Sequence, residues 1–436
     1  MTTLNKVFHL NDVHTTVKRE LLAALTTFVS LSYILFVNPS ILHAAGIDQG
    51  AAFTVTALSI AIGCFIMGLV ANYPIALAPT LGSAAFFSYN VCVGMQINWA
   101  TALAAVLVAS VLFILITLLK LREKVVEAIP PDLKYAISAG IGLFIAFIGL
   151  QNGKLIVGNS ANLVMLGKFN SPAVGLTLFG LTLTVILMAM NVPGSIFIGM
   201  VVTALLGILI GQIPLPKSLV AYPPSIAPTF GQAIFHIKDI NTPQLFMVVL
   251  TFLLVTFFDT AGTLIGMTEQ AGLVDSNGKI PRIGKAFLSD SLAMVEGAVI
   301  GTAPLGTSVE SSAGIAMGGR TGLTAIFVGI FFLISMIFSP LLAVIPTTVT
   351  APALIIVGVL LAGNLKKINW AKFEIAFPAF LTVVGMPLTY SISNGLALGM
   401  IAYPITMIAS GHAKRVSPMM YALFFIFIIF FLITNI

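Results

Sequence analysis

The sequence predicts an all-α polytopic membrane protein folded as an inverted repeat, and three observations carry that prediction. Hydrophobic residues make up 58% of the 436 positions and charged residues only 8%, which leaves too little polar surface for a soluble shell. The apolar residues gather in runs long enough to cross a hydrocarbon core of about 30 Å. Two of those runs, third and tenth in order, are interrupted by the same Pro/Gly pattern, and interrupted segments in corresponding positions mark two halves of about seven segments each. The net charge of +6 comes from Lys and Arg placed in loops, so it speaks to orientation in a bilayer and not to nucleic acid.

Residues 1–20 are polar, carry Lys6, Lys18 and Arg19, lack a signal-peptide cleavage pattern and are expected on the cytoplasmic side. The first span, 21–42, contains Tyr33 and Asn38-Pro39; the second is 51–71. The third, about 75–95, begins IALAPTLGSAAFFSYN, and the fourth, 100–119, ends in the basic KLREK. Spans near 135–150, 174–190 and 195–211 complete the first half, and the proline-rich connection 212–243 is expected outside. The second half runs through 245–266, 286–300, 301–322, 323–345, 353–365, 373–388 and 395–409. Basic clusters then fall on the inner side, apart from Lys154, Lys168, Lys217 and Lys238. Residues 418–436 form an uncharged run outside the repeat. Cys64 and Cys92 lie in apolar runs, and no disulfide is expected.

The tenth segment reads GTAPLGTSVESSAGIAMGGRTG over 301–322. Pro304 favours extended backbone and Thr307 or Ser308 supplies an N-cap, which predicts a strand-like entry of about five residues running into a short half-helix. The third span repeats the pattern: Ala78-Pro79 then Gly82-Ser83 matches Ala303-Pro304 then Gly306-Thr307. Irregular backbone at membrane depth survives only where protein or a water-filled cavity satisfies it. Two half-helix starts meeting there aim their amides at a common point, so a ligand site is expected between them.

Four carboxylates fall in spans: Asp259, Asp290, Glu296 and Glu310. Each costs about 2.5–3.5 kcal/mol if carried charged to a helix centre. Asp259 has Thr256, Thr260 and Thr263 within a turn, an arrangement suited to a proton carrier or to a structural acid bonded between helices. Thr307-Ser-Val-Glu310 fits a capping box, and ligand contact by Glu310 is compatible with it. Asp290 and Glu296 read first as structural, with proton movement a second role for Asp290. An intramembrane enzyme is disfavoured: all five histidines lie outside the tenth segment, and Asp259 follows Phe257-Phe258 and not a GxG pattern.

The stretches FFDTAGTLIGM, AGLVDSNGKIPRIGKAFLSD and VESSAGIAMGGRTGLTA, together with TTFVSLSYILFVNPSIL and FPAFLTVVGMPLTYSISNG, resemble the nucleobase:cation symporter family in its AzgA-like purine permease branch. The resemblance implies a seven-plus-seven transporter fold with a core domain at 21–120 and 244–345. The gate domain would be 121–243 and 346–410, flanked by a cytoplasmic segment 1–20 and a C-terminal apolar segment 411–436. It further implies a homodimer in the cell membrane, without cofactor or metal, that couples a proton to uptake of adenine, hypoxanthine or guanine by an elevator-like or rocking movement. Xanthine, uracil or a related heterocycle is the alternative cargo. An anion is disfavoured, because two acids near the site would repel it.

Matched position by position, Asp259 and Glu310 are the acids around the bound base. Thr263 stands where the uracil and xanthine branches tend to place a histidine. Where this branch usually reads APGMGLNA, the chain reads APTLGSAA, so Ala84 replaces an asparagine and Ser83 or Thr80 is left to compensate. Ala85, Gly306, Thr307 and Ser308 line the half-helix starts, and Phe86, Phe87 or Phe257 would stack on the base. Asp259 and Asp290 are the expected proton-coupling residues.

Overall fold

The computed structural model describes the backbone of residues 3–119, 129–216, 218–273 and 280–434, and the side chains of all of these except 3, 257–259, 261, 262, 265, 269, 342–344, 430, 433 and 434. Nearly every apolar run is helical, since in hydrocarbon each backbone N–H must find its acceptor within the segment. In chain order the continuous helices of the first half are Val17–Leu31 with Ile34–Ala44, Gln49–Ile66 running on to Ala71, Trp99–Leu118, Pro131–Asn152, Pro172–Ala189 and Ser195–Leu209. Those of the second half are Pro243–Gln270, Ile283–Ile300, Gly322–Ser335, Thr347–Ala362, Phe373–Leu388 and Ile392–Ala409. Pro418–Thr434 follows as the additional apolar helix. Among the described residues, eight helices are long and apolar enough to cross a membrane and four more are shorter. The chain is a multi-pass membrane protein.

Local chemistry sets several helix starts. Asp48 accepts from Ala51 N at 2.8 Å and Asn98 from Ala100 N at 2.8 Å, each satisfying an amide that has no partner inside its own helix. Three features were not anticipated. The first span breaks at Ser32–Tyr33, where Ser32 Oγ donates to Phe28 O at 2.6 Å. The second and third spans change to π-helical winding at Met67–Ala71 and Phe86–Gly94. Ile156–Asn159 and Leu163–Leu166 form an antiparallel hairpin between the fifth and sixth spans.

Helices approach closely where glycines face each other, the usual device where lipid offers no hydrophobic drive for association. A Cβ on Gly322 would lie 2.1 Å from Gly68 O, and one on Gly358 would lie 2.5 Å from Gly142 O. These contacts join the second span to the eleventh and the fifth to the twelfth. A buried carboxylate secures the N-terminal end of the first span. Glu20 accepts from Thr15 Oγ1 at 2.8 Å, Arg320 N at 3.0 Å, Thr321 N at 3.2 Å and Thr324 Oγ1 at 2.6 Å. Two of those donors are amides at the start of the eleventh helix, where negative charge is favoured. Glu20 thus ties the first span to the turn that follows the tenth.

Candidate functional site

The interrupted third and tenth spans meet as an antiparallel strand pair. Leu77 pairs with Thr307, Ala78 with Gly306 and Pro79 with Leu305. Flanking bonds extend the ladder, Thr80 N to Pro304 O at 3.1 Å and Ser308 N to Ala76 O at 3.0 Å. Proline fits here because neither Pro79 nor Pro304 has an N–H to leave unpaired. The pairing also explains how extended backbone is tolerated at this depth: each strand supplies the other's partners.

Each strand then turns into a helix. Leu81–Ala85 follows the first and passes into the π-helical Phe86–Gly94. Ser311–Ala316 follows the second. Glycine is required at 306 for a reason of space, since a Cβ there would lie 2.7 Å from Thr80 Cγ2 and 3.1 Å from Thr260 Oγ1. Thr307 Oγ1 donates to Thr260 O at 3.4 Å, and Thr260 Oγ1 to Asp290 Oδ1 at 3.4 Å. Segments from the third, eighth, ninth and tenth spans therefore converge on one small volume.

Glu310 stands at the edge of this volume, half-buried. Its Oε1 accepts a hydrogen bond from Tyr33 Oη at 2.6 Å, and Oε2 accepts from Ser308 Oγ. Each oxygen keeps further acceptor capacity, because a carboxylate offers about four lone-pair sites. The capping-box expectation is corrected. Thr307 lies in the strand, the helix starts at Ser311, and Glu310 occupies the N-cap position with no side-chain cap bond. The distant Tyr33 phenol and the neighbouring Ser308 hydroxyl have taken the carboxylate away from the local amides.

The remaining predicted residues divide by their surroundings. Ser83 is fully buried, accepts from Thr80 Oγ1 at 3.0 Å and lies 3.5 Å from Thr256 Oγ1. Ala84 and Ala85 are buried beside it. Phe86 and Phe87 are fully buried, with Phe86 edge-to-face on Phe252 at 4.8 Å. In this conformation both rings belong to the packed interior. Thr263 is half-buried on the eighth helix. The side chains of Asp259 and Phe257 lie outside the described residues, although their backbone belongs to Pro243–Gln270. Asp290 is fully buried. Thr260, expected beside Asp259, donates across to Asp290.

Tyr33 was missed as a partner of Glu310. The available signal was a phenol in mid-span beside Ser32, where the helix breaks. A separate cavity of about 490 Å³ is lined by Ser40, His43, Gln49, Tyr89, Asn152 and Thr347 among others. It lies among span ends on the side away from the N-terminal helix and includes none of the predicted site residues.

Comparison with known proteins agrees with this architecture. The model described as "Permease family" (Xan_ur_permease) matches residues 18–398. The chain is 51% identical to the guanine/hypoxanthine permease PbuG of Bacillus subtilis over 434 residues, 98% of each chain. It is 42% identical to the adenine permease AdeQ of Escherichia coli over 410 residues, 94% of this chain and 92% of that one. The transmembrane domain of the cyanobacterial bicarbonate transporter BicA superposes with a TM-score of 0.61 at 16% identity, covering 90% of this chain and 97% of that one. That likeness carries the fold alone, a seven-plus-seven inverted repeat. The chain belongs to the permease family, in the purine permease branch of the nucleobase:cation symporters.

Proposed function

We propose that this permease takes up purine nucleobases, adenine, hypoxanthine or guanine, across the cell membrane in symport with protons. The observation that carries the reading is the joined pair of half-helices with the Glu310 carboxylate beside them, oriented by Tyr33 and Ser308. A purine is planar, with N–H donors along one edge and ring acceptors along another. Glu310 accepts from the N–H edge, and amides at the two half-helix starts donate to the acceptors. A micromolar site needs about 8 kcal/mol, within reach of a few charge-assisted bonds and base stacking. The relatives named as guanine/hypoxanthine and adenine permeases support purine cargo.

In this reading 21–120 and 244–345 form a core that carries the site, and 121–243 and 346–410 form the gate against which it shifts. The N-terminal segment lies in the cytoplasm and the protein works as a homodimer. Ser83, Ala84, Ala85, Phe86, Thr263, Gly306, Thr307 and Ser308 surround the base, with Phe257 for stacking. Asp259 is the coupling residue, with Asp290 beside Thr260 as its relay.

The test is uptake into liposomes under an imposed pH gradient. Wild-type protein should accumulate unmodified purine above its outside concentration. Asp259→Asn keeps size and hydrogen bonding but has no proton to exchange, so it should lose uphill accumulation while retaining exchange of base at equilibrium. Concentrative uptake by that variant would move the coupling proton to Asp290. Chemical conversion of the purine would overturn transport altogether.

A further inference from the structure

The second and ninth spans cross in opposite directions, and small residues hold them close. A Cβ on Gly63 would lie 3.3 Å from the Ala293 Cβ. One turn away along each helix stand Ser59 and Glu296, and the Ser59 hydroxyl faces the Glu296 carboxyl. Ser59 is fully buried. Both Glu296 oxygens are sealed from solvent, and within the described residues neither they nor Ser59 Oγ completes a hydrogen bond.

Among the described residues, no cation is paired with either side chain. The second span offers Cys64, whose thiol donates to Leu77 O, and beyond its end Tyr73, which donates to Pro281 O. The fourth span, Trp99–Leu118, and the strand Leu305–Thr307 carry no titratable side chain. The short helix Gln232–Phe235 ends at His236, whose ring is bonded to Gln232 O. The ninth helix itself adds Lys285 in its first turn and Asp290, which accepts from Thr260 of the eighth helix.

An ionised carboxylate in this position would sit in mid-membrane with at most the Ser59 hydroxyl to donate to it and, among the described residues, no cation beside it, an arrangement with a large desolvation cost. A carboxylic acid needs only one acceptor, and Ser59 Oγ is there to supply it. We propose that Glu296 and Ser59 form a buried proton-binding site, distinct from Asp259 and Asp290, in which Glu296 is held as the neutral acid at neutral pH. A sodium ion fits less well, because hard cations collect about six oxygen ligands and this pair offers one carboxyl and one hydroxyl. The site would add a further protonatable group to the symporter reading, but its existence does not depend on transport.

The test uses the full chain in lipid nanodiscs without purine, followed by infrared spectroscopy as pH is raised. A carboxylic-acid carbonyl band should be present at neutral pH, vanish in Glu296→Gln and persist in Glu310→Gln. Ser59→Ala should shift its frequency, and this variant serves if Glu296→Gln fails to fold. Apparent Tm gives a second readout. The acid is neutral in the fold but ionised in the unfolded chain above the ordinary carboxylate range, so wild-type stability falls as pH rises through neutrality. Each pH unit costs up to about tenfold in the folding constant until the buried acid itself ionises, a contribution that Glu296→Gln lacks. Identical infrared spectra and identical Tm-against-pH slopes for wild type and Glu296→Gln would overturn the proposal. Loss of the band when sodium chloride replaces choline chloride would also overturn it, in favour of a sodium site.

Discussion

The third and tenth spans enter the site by the same backbone route and leave it differently. Both supply a three-residue strand, and both turn into helix just beyond a proline-containing stretch. After the third-span strand come Ser83, Ala84 and Ala85, all fully or almost fully buried. The tenth-span strand leads to a half-buried carboxylate with two hydroxyl donors. The scaffold is thus two-fold and the chemistry one-sided. In the proposed site, a carboxylate on the tenth-span side facing a neutral third-span wall would give a purine, whose edges differ, a single orientation.

The sharpest way to break this contrast is to remove the charge on the tenth-span side. Glu310→Gln keeps volume but loses charge and an acceptor, and hydrogen bonds to charged groups contribute about 1.5–3 kcal/mol. Purine affinity should fall by about tenfold to a hundredfold in an equilibrium binding assay, with the protein still folded. Tyr33→Phe should weaken binding in the same direction but less, since it removes only an orienting donor. Unchanged affinity in Glu310→Gln would make the acid structural.

Next in size is the strand contact itself. Gly306→Ala must displace Thr80 or Thr260, and overpacking of this kind costs about 1–3 kcal/mol. A lower apparent Tm and weaker purine binding should appear together, whereas Gly175→Ala, with nothing within 4 Å of its new Cβ, should change neither. The smallest effect is expected on the neutral wall. Ala84→Asn should reorder preference among unlabelled purines in a competition assay while changing stability little, because a new amide alters which edge atoms are paired. An unchanged order would remove Ala84 from the base-contacting surface.

Much of the fold was legible because its signals are local. Apolar runs, basic loops and the Ala-Pro, Gly-Ser/Thr grammar at 78–83 and 303–307 announce spans and interruptions without tertiary information. The strand pairing goes beyond that reading, which expected a strand-like entry and half-helix starts aimed at a ligand; in the fold the two interruptions supply each other's backbone partners. The bonds of Glu310 did not follow. A capping box is a local rule, and it lost to a phenol from the first span and to Ser308. Thr260 illustrates the same limit: sequence places it next to Asp259, while the fold turns its hydroxyl to Asp290. The π-helical stretches were hidden because no Pro or Gly pattern distinguishes them from ordinary helix, whereas the 156–166 hairpin carried a Gly158-Asn159-Ser160 turn signal between two short apolar runs that the reading of long spans passed over.

The strand pair has a consequence for biogenesis. Leu77 enters the membrane long before Thr307 is synthesised, yet each needs the other for its backbone bonds. Until the tenth span arrives, the extended stretch at 77–79 has amides and carbonyls with no partner in hydrocarbon. The nascent first half must therefore keep this segment beside water, the translocation channel or a chaperone, and the last step of its insertion waits on a contact of very high sequence separation. A ribosome stalled before Gly301 would leave behind a membrane-embedded chain with an open strand edge, a natural substrate for quality-control proteolysis.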